Sequence, residues 1–184
     1  MPTKIHEQNG QFLKLGLYCH VPFCANNCAY CAFYKERPTA QLIQEYIDGI
    51  DKEEQLLTHD RPFDTIYVGG GTPGILVPEK LDILCKILTR HSKHELDEFS
   101  IELSPNTVTL EKLQILQSHG CNRVTMGVQS FNEKTLKSLG RRQQTKQTLS
   151  AYSILRNGPI KNIGIDLIFG APGQTINDWI SDLE

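Results

Sequence analysis

The feature of this sequence that most restricts its fold is the alternation of short β-type segments with amphipathic helical segments. Five apolar segments rich in β-branched residues have the composition of strands, and stretches with an apolar side chain every three or four residues separate them. This alternation predicts an α/β fold with a parallel sheet, because a crossover helix follows each strand. The predicted strands are residues 15–20, 65–69, 99–103, 123–128 and 162–169.

The helical segments carry recognisable start and stop signals. Pro78 stands where a first-turn proline is favoured, since its fixed φ suits a helix and its missing N–H costs nothing there. Gly120 directly follows another helical segment, and glycine is typical of the position where a helix ends. The predicted helices are residues 41–57, 78–89, 110–119, 132–139 and 145–157, and a sixth that opens after Pro172 and still runs at Glu184.

Side-chain alternation along the predicted strands separates two α/β architectures. Phe99, Ile101 and Leu103 share one face of the third predicted strand. Ser100 and Glu102 share the other face, and the next two strands show the same contrast. A doubly wound sheet is covered by helices on both faces and is apolar on both. The pattern therefore favours a (βα) barrel with a polar interior; the alternative is that the polar residues are ordinary strand ends near solvent.

Three polar side chains at the carboxyl ends of predicted strands support the barrel. Glu102, Gln129 and Asp166 all lie at or near such an end, where (βα) barrels place their chemistry. Asp166 stands among Ile and Leu, and an acid in such a strand is costly without a partner. We expect these residues to face a polar ligand.

Three of the six cysteines form the pattern C-x3-C-x2-C directly after the first predicted strand. In a reducing compartment such a group is a metal site rather than a disulfide framework. Cys24, Cys28 and Cys31 could hold three irons of a cubane [4Fe–4S] cluster and leave the fourth iron open to a chelating ligand. The alternative is a zinc site completed by Cys19 or His20.

Composition and charge exclude several classes of protein. The chain is 39% hydrophobic and 22% charged, which rules out disorder. Its net charge of −2 gives no sign of nucleic-acid binding. No apolar run approaches the roughly 20 residues that span a bilayer, and residues 1–11 lack the apolar core of a signal peptide. We expect a cytoplasmic protein without a membrane span, in which Cys19, Cys85 and Cys121 are small buried hydrophobes or inert thiols.

Six short motifs occur in a fixed order, each near the end of a predicted strand. They are YCHVPFC (18–24), GGGTP (69–73), IELSP (101–105), NRVTMGVQSF (122–131), LGR (139–141) and DLIFGAPG (166–173). Together they resemble the radical S-adenosylmethionine (SAM) superfamily. Within it the chain resembles the group that contains the oxygen-independent coproporphyrinogen III dehydrogenases (oxidases) and the haem chaperone HemW.

The resemblance implies a [4Fe–4S] cluster on the three motif cysteines, whose open iron chelates SAM. It also implies SAM contacts from Gly70, Gly71 and Thr72 to the methionyl amino group, and from Glu102 to that group or the ribose. Tyr18 matches an aromatic contact near the cluster. The alternatives are a solvated strand-end acid for Glu102 and an ordinary core tyrosine for Tyr18.

Three further positions match a second SAM site of the dehydrogenases. Gln129, Arg141 and Asp166 supply an amide, a guanidinium that can grip a carboxylate, and an acid for hydroxyl or ammonium groups. Arg141 followed by Arg142 would otherwise be an ordinary surface pair of basic residues. Only the preceding Leu-Gly in the motif distinguishes Arg141 from such a surface pair.

Two departures from the dehydrogenase pattern favour the HemW type. Phe33 stands where the dehydrogenases have a further cysteine, and the first predicted strand begins near residue 15, where they have a preceding arm. HemW is thought to bind haem and deliver it to respiratory proteins. The expected partners are SAM, haem or a porphyrinogen, an electron donor and haem-accepting respiratory proteins. The alternatives are a coproporphyrinogen III oxidase and a degenerate interaction module.

The expected domain is the N-terminal part of a radical SAM core, covering residues 1–184. Five βα units are present, whereas a (βα) barrel usually needs about 250 residues. The last barrel strand, the accessory domain and the His-Asn-x-x-His motif expected of HemW are not found in these residues. We therefore expect a truncated partial barrel.

Overall fold

A five-stranded parallel sheet, with its strands in chain order, forms the centre of the computed structural model, which describes residues 7–8, 11–12, 14–56 and 61–184. A short antiparallel pair, β1 (Glu7–Gln8) and β2 (Gln11–Phe12), precedes it. The sheet contains β3 (Gly16–Val21), β4 (Thr65–Gly70), β5 (Glu98–Leu103), β6 (Arg123–Gln129) and β7 (Asn162–Leu167). All five predicted strands are confirmed.

The helices follow the predicted pattern. They are α1 (Ala40–Leu56), α2 (Pro78–Leu88), α3 (Leu110–Ser118), α4 (Glu133–Ser138), α5 (Thr145–Asn157) and α6 (Ile176–Leu183). Pro78 is the first residue of α2, as predicted. Residue 57, the predicted end of the first helix, lies outside the described residues. Within the described part of the chain, no helix has the length and apolar character needed to cross a membrane.

Two boundaries differ from the prediction for local reasons. The sixth helix begins at Ile176, because the hydroxyl of Thr175 caps it by accepting the N–H of Asp178 at 3.1 Å. The last strand ends at Leu167 rather than at residue 169. Its pairing with β6 shifts register near Gln129, and the chain then leaves the sheet.

The two faces of the sheet differ as the alternation predicted. The six apolar residues on the helix-facing side of β5 and β6 are at most 3% exposed, and they join one core with α1, α2, α3 and α5. These six are Phe99, Ile101, Leu103, Val124, Met126 and Val128. A chain-order parallel sheet with its helix layer on one face is the arrangement of a partial (βα) barrel, so the predicted fold class is confirmed. The contrast weakens at the edge strand β7, where Ile165 is 39% exposed.

Candidate functional site

A cleft of about 220 Å³ lies at the carboxyl end of the sheet. Because all five strands run in one direction, residues distant in sequence meet at this edge. Of the eleven residues predicted to bind a metal or cofactor, ten line the cleft. They are Cys24, Cys28, Cys31, Gly70, Gly71, Thr72, Glu102, Gln129, Arg141 and Asp166.

Main-chain hydrogen bonds hold the loop that carries the three cysteines. The N–H of Cys24 donates to the carbonyl of Glu36 at 3.0 Å, and the N–H of Glu36 donates to the carbonyl of Pro22 at 2.8 Å. The N–H of Ala29 donates to the carbonyl of Leu139, just after α4, at 3.2 Å. The loop is therefore fixed both at its base and at its centre.

The three motif thiols are half-buried and line the cleft. The sulfur of Cys24 lies 3.7 Å from the hydroxyl of Thr72. Among the described residues, no three His, Cys, Asp or Glu side chains form a group that could hold a single metal ion. Cysteine thiolates are the usual ligands of iron–sulfur clusters, and three of them line this one cleft. The donor set therefore fits a [4Fe–4S] cluster.

The two residues considered as fourth zinc ligands make their contacts outside the lining of the cleft. Cys19 is part of the core; its thiol contacts the hydroxyl of Tyr46 at 3.3 Å, and burial raises its pKa to about 11. His20 contacts the hydroxyl of Tyr18 at 3.1 Å and the carbonyl oxygen of Tyr34 at 3.4 Å. Neither side chain lines the cleft.

The glycine turn after β4 packs against the protein itself. Gly70 has a φ of +105°, and a Cβ at this position would lie 2.5 Å from the ring of His20. A Cβ on Gly71 would lie 2.7 Å from the carbonyl oxygen of Phe23. The N–H of Thr72 donates to that same carbonyl at 2.8 Å. Protein atoms fill the space that side chains would take, so packing requires these glycines whether or not a ligand binds.

Glu102 is held by a residue that the sequence analysis did not single out. The hydroxyl of Tyr67 donates to Oε1 of Glu102 at 2.5 Å, and burial together with this bond raises the pKa of Tyr67. The ring of Tyr67 stacks on that of Tyr18, with centroids 6.1 Å apart and planes at 25°. Tyr18 does not line the cleft, but burial and the nearby charge of Glu102 raise its pKa. Alternation along β4, which places Tyr67 on the polar face, was the available signal.

Arg141 presents part of its guanidinium without a partner. Its Nη2 donates to the hydroxyl of Tyr30 at 3.2 Å, and its Nη1 donates to Oε1 of Gln143 at 3.4 Å. Its Nε is buried and has no hydrogen-bond partner in the described part of the chain. A buried donor without an acceptor is costly, so this atom is a donor that a ligand acceptor such as a carboxylate could satisfy.

Gln129 has a strained backbone at the end of β6. Its φ is +73°, and among the described residues no other residue except glycine has a positive φ. Such strain costs on the order of 1–3 kcal/mol and clusters at functional sites. The strain coincides with the register shift between Gly127 and Gln129, which places the amide of Gln129 in the wall of the cleft.

Asp166 forms the β7 side of the cleft. Its strand register pairs it with Gly127. Burial raises the pKa of the Asp166 carboxyl, while the charge of Arg123 acts in the opposite direction. A carboxylate in this setting gains from a donor or cation supplied by a ligand.

Further cleft residues come from the cysteine loop and from strand ends. The ammonium of Lys35 donates to the carbonyl of Cys31 at 2.8 Å and steadies the end of the motif. Nearness to the motif cysteines was the sequence signal for Tyr30 and Lys35, whereas Phe33 was noted only as a departure from the dehydrogenase pattern. The lining that sequence analysis did not assign is Tyr30, Phe33, Lys35, Leu103, Ser104 and Gly127.

Known proteins resemble this chain over most of its length. The profile of the radical SAM superfamily matches residues 18–184. The haem chaperone HemW of Lactococcus lactis is 37% identical over 168 residues, which cover 91% of this chain and 44% of that protein. HemW of Bacillus subtilis is 37% identical over 164 residues, which cover 86% and 43% of the two chains.

A solved structure agrees with these matches. Coproporphyrinogen III oxidase HemN from Escherichia coli, described as a radical SAM enzyme, superposes with a TM-score of 0.80 at 31% identity, covering 92% of this chain and 40% of that one. The chain therefore spans less than half the length of these relatives. The profile, the HemW relatives and the HemN structure agree: the chain belongs to the radical SAM superfamily.

Proposed function

We propose that this chain is the cluster- and SAM-binding core of a HemW-type protein, which in its complete form binds haem for delivery to haem proteins. The observation that carries the proposal is one cleft in which Cys24, Cys28 and Cys31 meet glycines and polar side chains from four strand ends. The 37% identity to two HemW proteins supports the chaperone branch.

The residues of the cleft divide between cluster and SAM. Cys24, Cys28 and Cys31 would hold the cluster, which when bound and reduced supplies the electron that cleaves the sulfonium of SAM. The glycine turn offers acceptors rather than donors to the methionyl ammonium, because the N–H groups of Gly71 and Thr72 already donate to main-chain carbonyls.

The polar wall opposite the cysteines supplies the remaining groups. Glu102, oriented by Tyr67, would accept from the ammonium or from the ribose hydroxyls. At a second SAM site, the Nε of Arg141, which has no partner within the described residues, would donate to a carboxylate, and Gln129 and Asp166 would bind hydroxyl or ammonium groups.

The competing function is that of a coproporphyrinogen III oxidase, as in HemN. The observation against it is Phe33, which is 66% exposed and lines the cleft at the place of the dehydrogenases' further cysteine. A HemW-type function implies a cytoplasmic protein whose partners are SAM, haem, an electron donor and haem-accepting respiratory proteins. We expect the haem contacts to need the additional length that the relatives have.

The test begins with anaerobic reconstitution of the chain with iron and sulfide. We expect a brown protein with about four irons per chain, the content of a cubane, and SAM binding by calorimetry. The complete protein is then incubated with reductant, SAM and coproporphyrinogen III, with E. coli HemN as the positive control; we expect no sustained protoporphyrinogen. Sustained product would replace the chaperone assignment by the oxidase.

A further inference from the structure

The turn after α4, residues 139–141, packs directly on the cysteine loop. The N–H of Ala29 donates to the carbonyl of Leu139 at 3.2 Å. Gly140 has a φ of +74°, and a Cβ at this position would lie 3.1 Å from the backbone nitrogen of Ala29 and 3.8 Å from Cα of Cys28. Glycine therefore allows the turn to approach the loop closely, where a side chain would press on the backbone that carries a motif cysteine.

The last residue of this turn, Arg141, extends the contact with its side chain. Its Nη2 donates to the hydroxyl of Tyr30 at 3.2 Å, and Tyr30 stands between Cys28 and Cys31 in the motif. The backbone N–H of Arg141 donates to the carbonyl of Leu136 in α4 at 2.8 Å. The main chain of Arg141 is thus fixed by the end of a helix, and its guanidinium is held by the cysteine loop.

Neutral groups hold the guanidinium from both sides. Opposite Tyr30, Oε1 of Gln143 accepts from Nη1 at 3.4 Å, and Nε2 of Gln143 donates to the carbonyl of Val128 in β6 at 2.7 Å. Within the part of the chain that the structure describes, no carboxylate forms an ion pair with Arg141, and its buried Nε has no hydrogen-bond partner. Neutral acceptors orient a guanidinium without cancelling its charge, so an anionic ligand group can still pair with it.

The guanidinium is held over the end of β6, beside the other groups proposed for the second SAM site. A Cβ on Gly127 would lie 2.9 Å from Nε2 of Gln129 and 3.5 Å from Nη2 of Arg141. The amide and the guanidinium therefore meet above a residue that has no side chain. Asp166 pairs with the same glycine in the strand register. The hydroxyl of Tyr30 is the contact that keeps Arg141 in this group from the side of the cysteine loop.

We propose that Tyr30 is the positioning residue for Arg141 at the second SAM site; this rests on the proposed function. Its hydroxyl keeps the guanidinium beside Gln129, where Arg141 receives the carboxylate of the second SAM molecule, the one that does not chelate the cluster. A phenylalanine at this position would fill nearly the same space but would leave Nη2 without its acceptor. The hydroxyl should therefore matter for the second SAM molecule and not for the first, which chelates the open iron.

The test compares Tyr30→Phe with the parent after anaerobic reconstitution, using SAM as the probe. Equilibrium dialysis of the oxidised protein, which does not cleave SAM, counts every bound SAM molecule. EPR of the reduced cluster, in samples frozen directly after mixing, reports the first SAM molecule alone, because chelation of an iron changes the signal. Tyr30→Phe should keep the iron content and the first affinity of the parent. Its second affinity should fall about fivefold, the effect of one lost hydrogen bond to a charged group.

The matched control is Tyr34→Phe on the same loop. The hydroxyl of Tyr34 donates to Oε1 of Glu36 at 2.5 Å, and Tyr34 does not line the cleft. This control should bind both SAM molecules with the affinities of the parent. An equal loss of second affinity in Tyr30→Phe and Tyr34→Phe would overturn the inference.

A double-mutant cycle tests whether Tyr30 acts through Arg141. Arg141→Lys keeps the positive charge but lacks the planar fork that can hold the tyrosine and a ligand together. In the Arg141→Lys background, Tyr30→Phe should change the second affinity by less than about twofold, because the contact that it removes is already lost. A fivefold loss that persists in this background would overturn the inference, since Tyr30 would then act independently of Arg141.

The remaining outcomes separate the inference from the proposed function. Unchanged second affinity in Tyr30→Phe overturns the inference, and so does an equal loss of both affinities, which would indicate a distorted loop. A parent that takes up the cluster but binds only the first SAM molecule overturns the inference and leaves the cluster and the first SAM site standing. A parent that takes up no iron–sulfur cluster refutes the proposed function, and the inference with it.

Discussion

The hydroxyl of Tyr67 donates a 2.5 Å hydrogen bond to Oε1 of Glu102, so a tyrosine of one strand holds a carboxylate of the next at the cleft. The bond fixes one oxygen of Glu102 and leaves the other available to a ligand. The raised pKa of Tyr67 keeps the phenol protonated, and therefore donating, through the neutral range.

Loss of this bond should weaken SAM binding without affecting the cluster. Tyr67→Phe removes one hydrogen bond to a charged group at a half-exposed position, so we expect about 1 kcal/mol, or roughly a fivefold weaker affinity. Glu102→Ala, which removes the acceptor itself, should weaken binding further. Calorimetry on reconstituted protein measures both.

The matched control for this pair is Tyr152→Phe on α5. Tyr152 is 37% exposed, close to the 38% of Tyr67, but it does not line the cleft. The Tyr152→Phe variant should bind SAM with the affinity of the parent. Equal affinities in Tyr67→Phe, Glu102→Ala and the parent would mean that SAM does not contact this carboxylate.

The motif cysteines and the core cysteines should behave differently on substitution. Replacing Cys24, Cys28 or Cys31 by Ala should abolish the iron–sulfur absorption and the bound iron. Cys85→Ala and Cys121→Ala should retain both, because these thiols are at most 2% exposed and belong to the core. Stoichiometric zinc with no iron–sulfur absorption in the parent would contradict the cluster assignment.

Gly70 should be needed for the fold as well as for the site. Gly70→Ala forces a Cβ into a φ of +105° and against the ring of His20, at a cost of about 1–3 kcal/mol from backbone strain. The control is Gly49→Ala within α1, where a Cβ would meet nothing within 4 Å. This substitution should stabilise the folded protein by about 0.5–1 kcal/mol. Urea unfolding measures both, and similar midpoints for the two variants would refute the packing argument.

The carboxylate of Asp64 should make folding stability depend on pH. The N–H of Leu15, at 2.6 Å, and then Lys93 hold the pKa of Asp64 below its usual range. A lowered folded-state pKa means that the stabilisation is present above the unfolded value of about 3.9 and is lost as the pH falls through the folded-state pKa. Asp64→Asn should therefore lower the urea midpoint at pH 7, and its gap from the parent should close in acid.

The control for Asp64 is Asp48→Asn, an exposed acid on α1 whose carboxylate accepts only a side-chain hydrogen bond from Gln44. Its midpoint should follow the parent at both pH values. A gap between Asp64→Asn and the parent that stays constant from pH 7 to acid would exclude the linkage.

Local pattern was sufficient to predict the five strands of the parallel sheet and the six helices, but not the short pair β1 and β2. Hydrophobic period, the first-turn proline Pro78 and the stop at Gly120 are properties of neighbouring residues, so they can be read along the chain. The alternation of Phe99, Ile101 and Leu103 with Ser100 and Glu102 also predicted which face the helices cover. The end of β7 was misjudged because it depends on a register shift at Gln129, a pairing between strands.

For the candidate site, too, some features were predictable from the sequence and others were decided by the tertiary structure. Sequence motifs selected ten residues that line one cleft, because parallel strands bring their carboxyl ends to one edge whatever the side chains are. Only the tertiary structure decided how those residues are supported. It placed Tyr18 outside the cleft, paired Tyr67 with Glu102, gathered Arg37 and Arg142 beside Cys24 and, among the described residues, left Nε of Arg141 without a partner. Each of these depends on distances between residues far apart in sequence, which strand register and loop packing determine and no local pattern encodes.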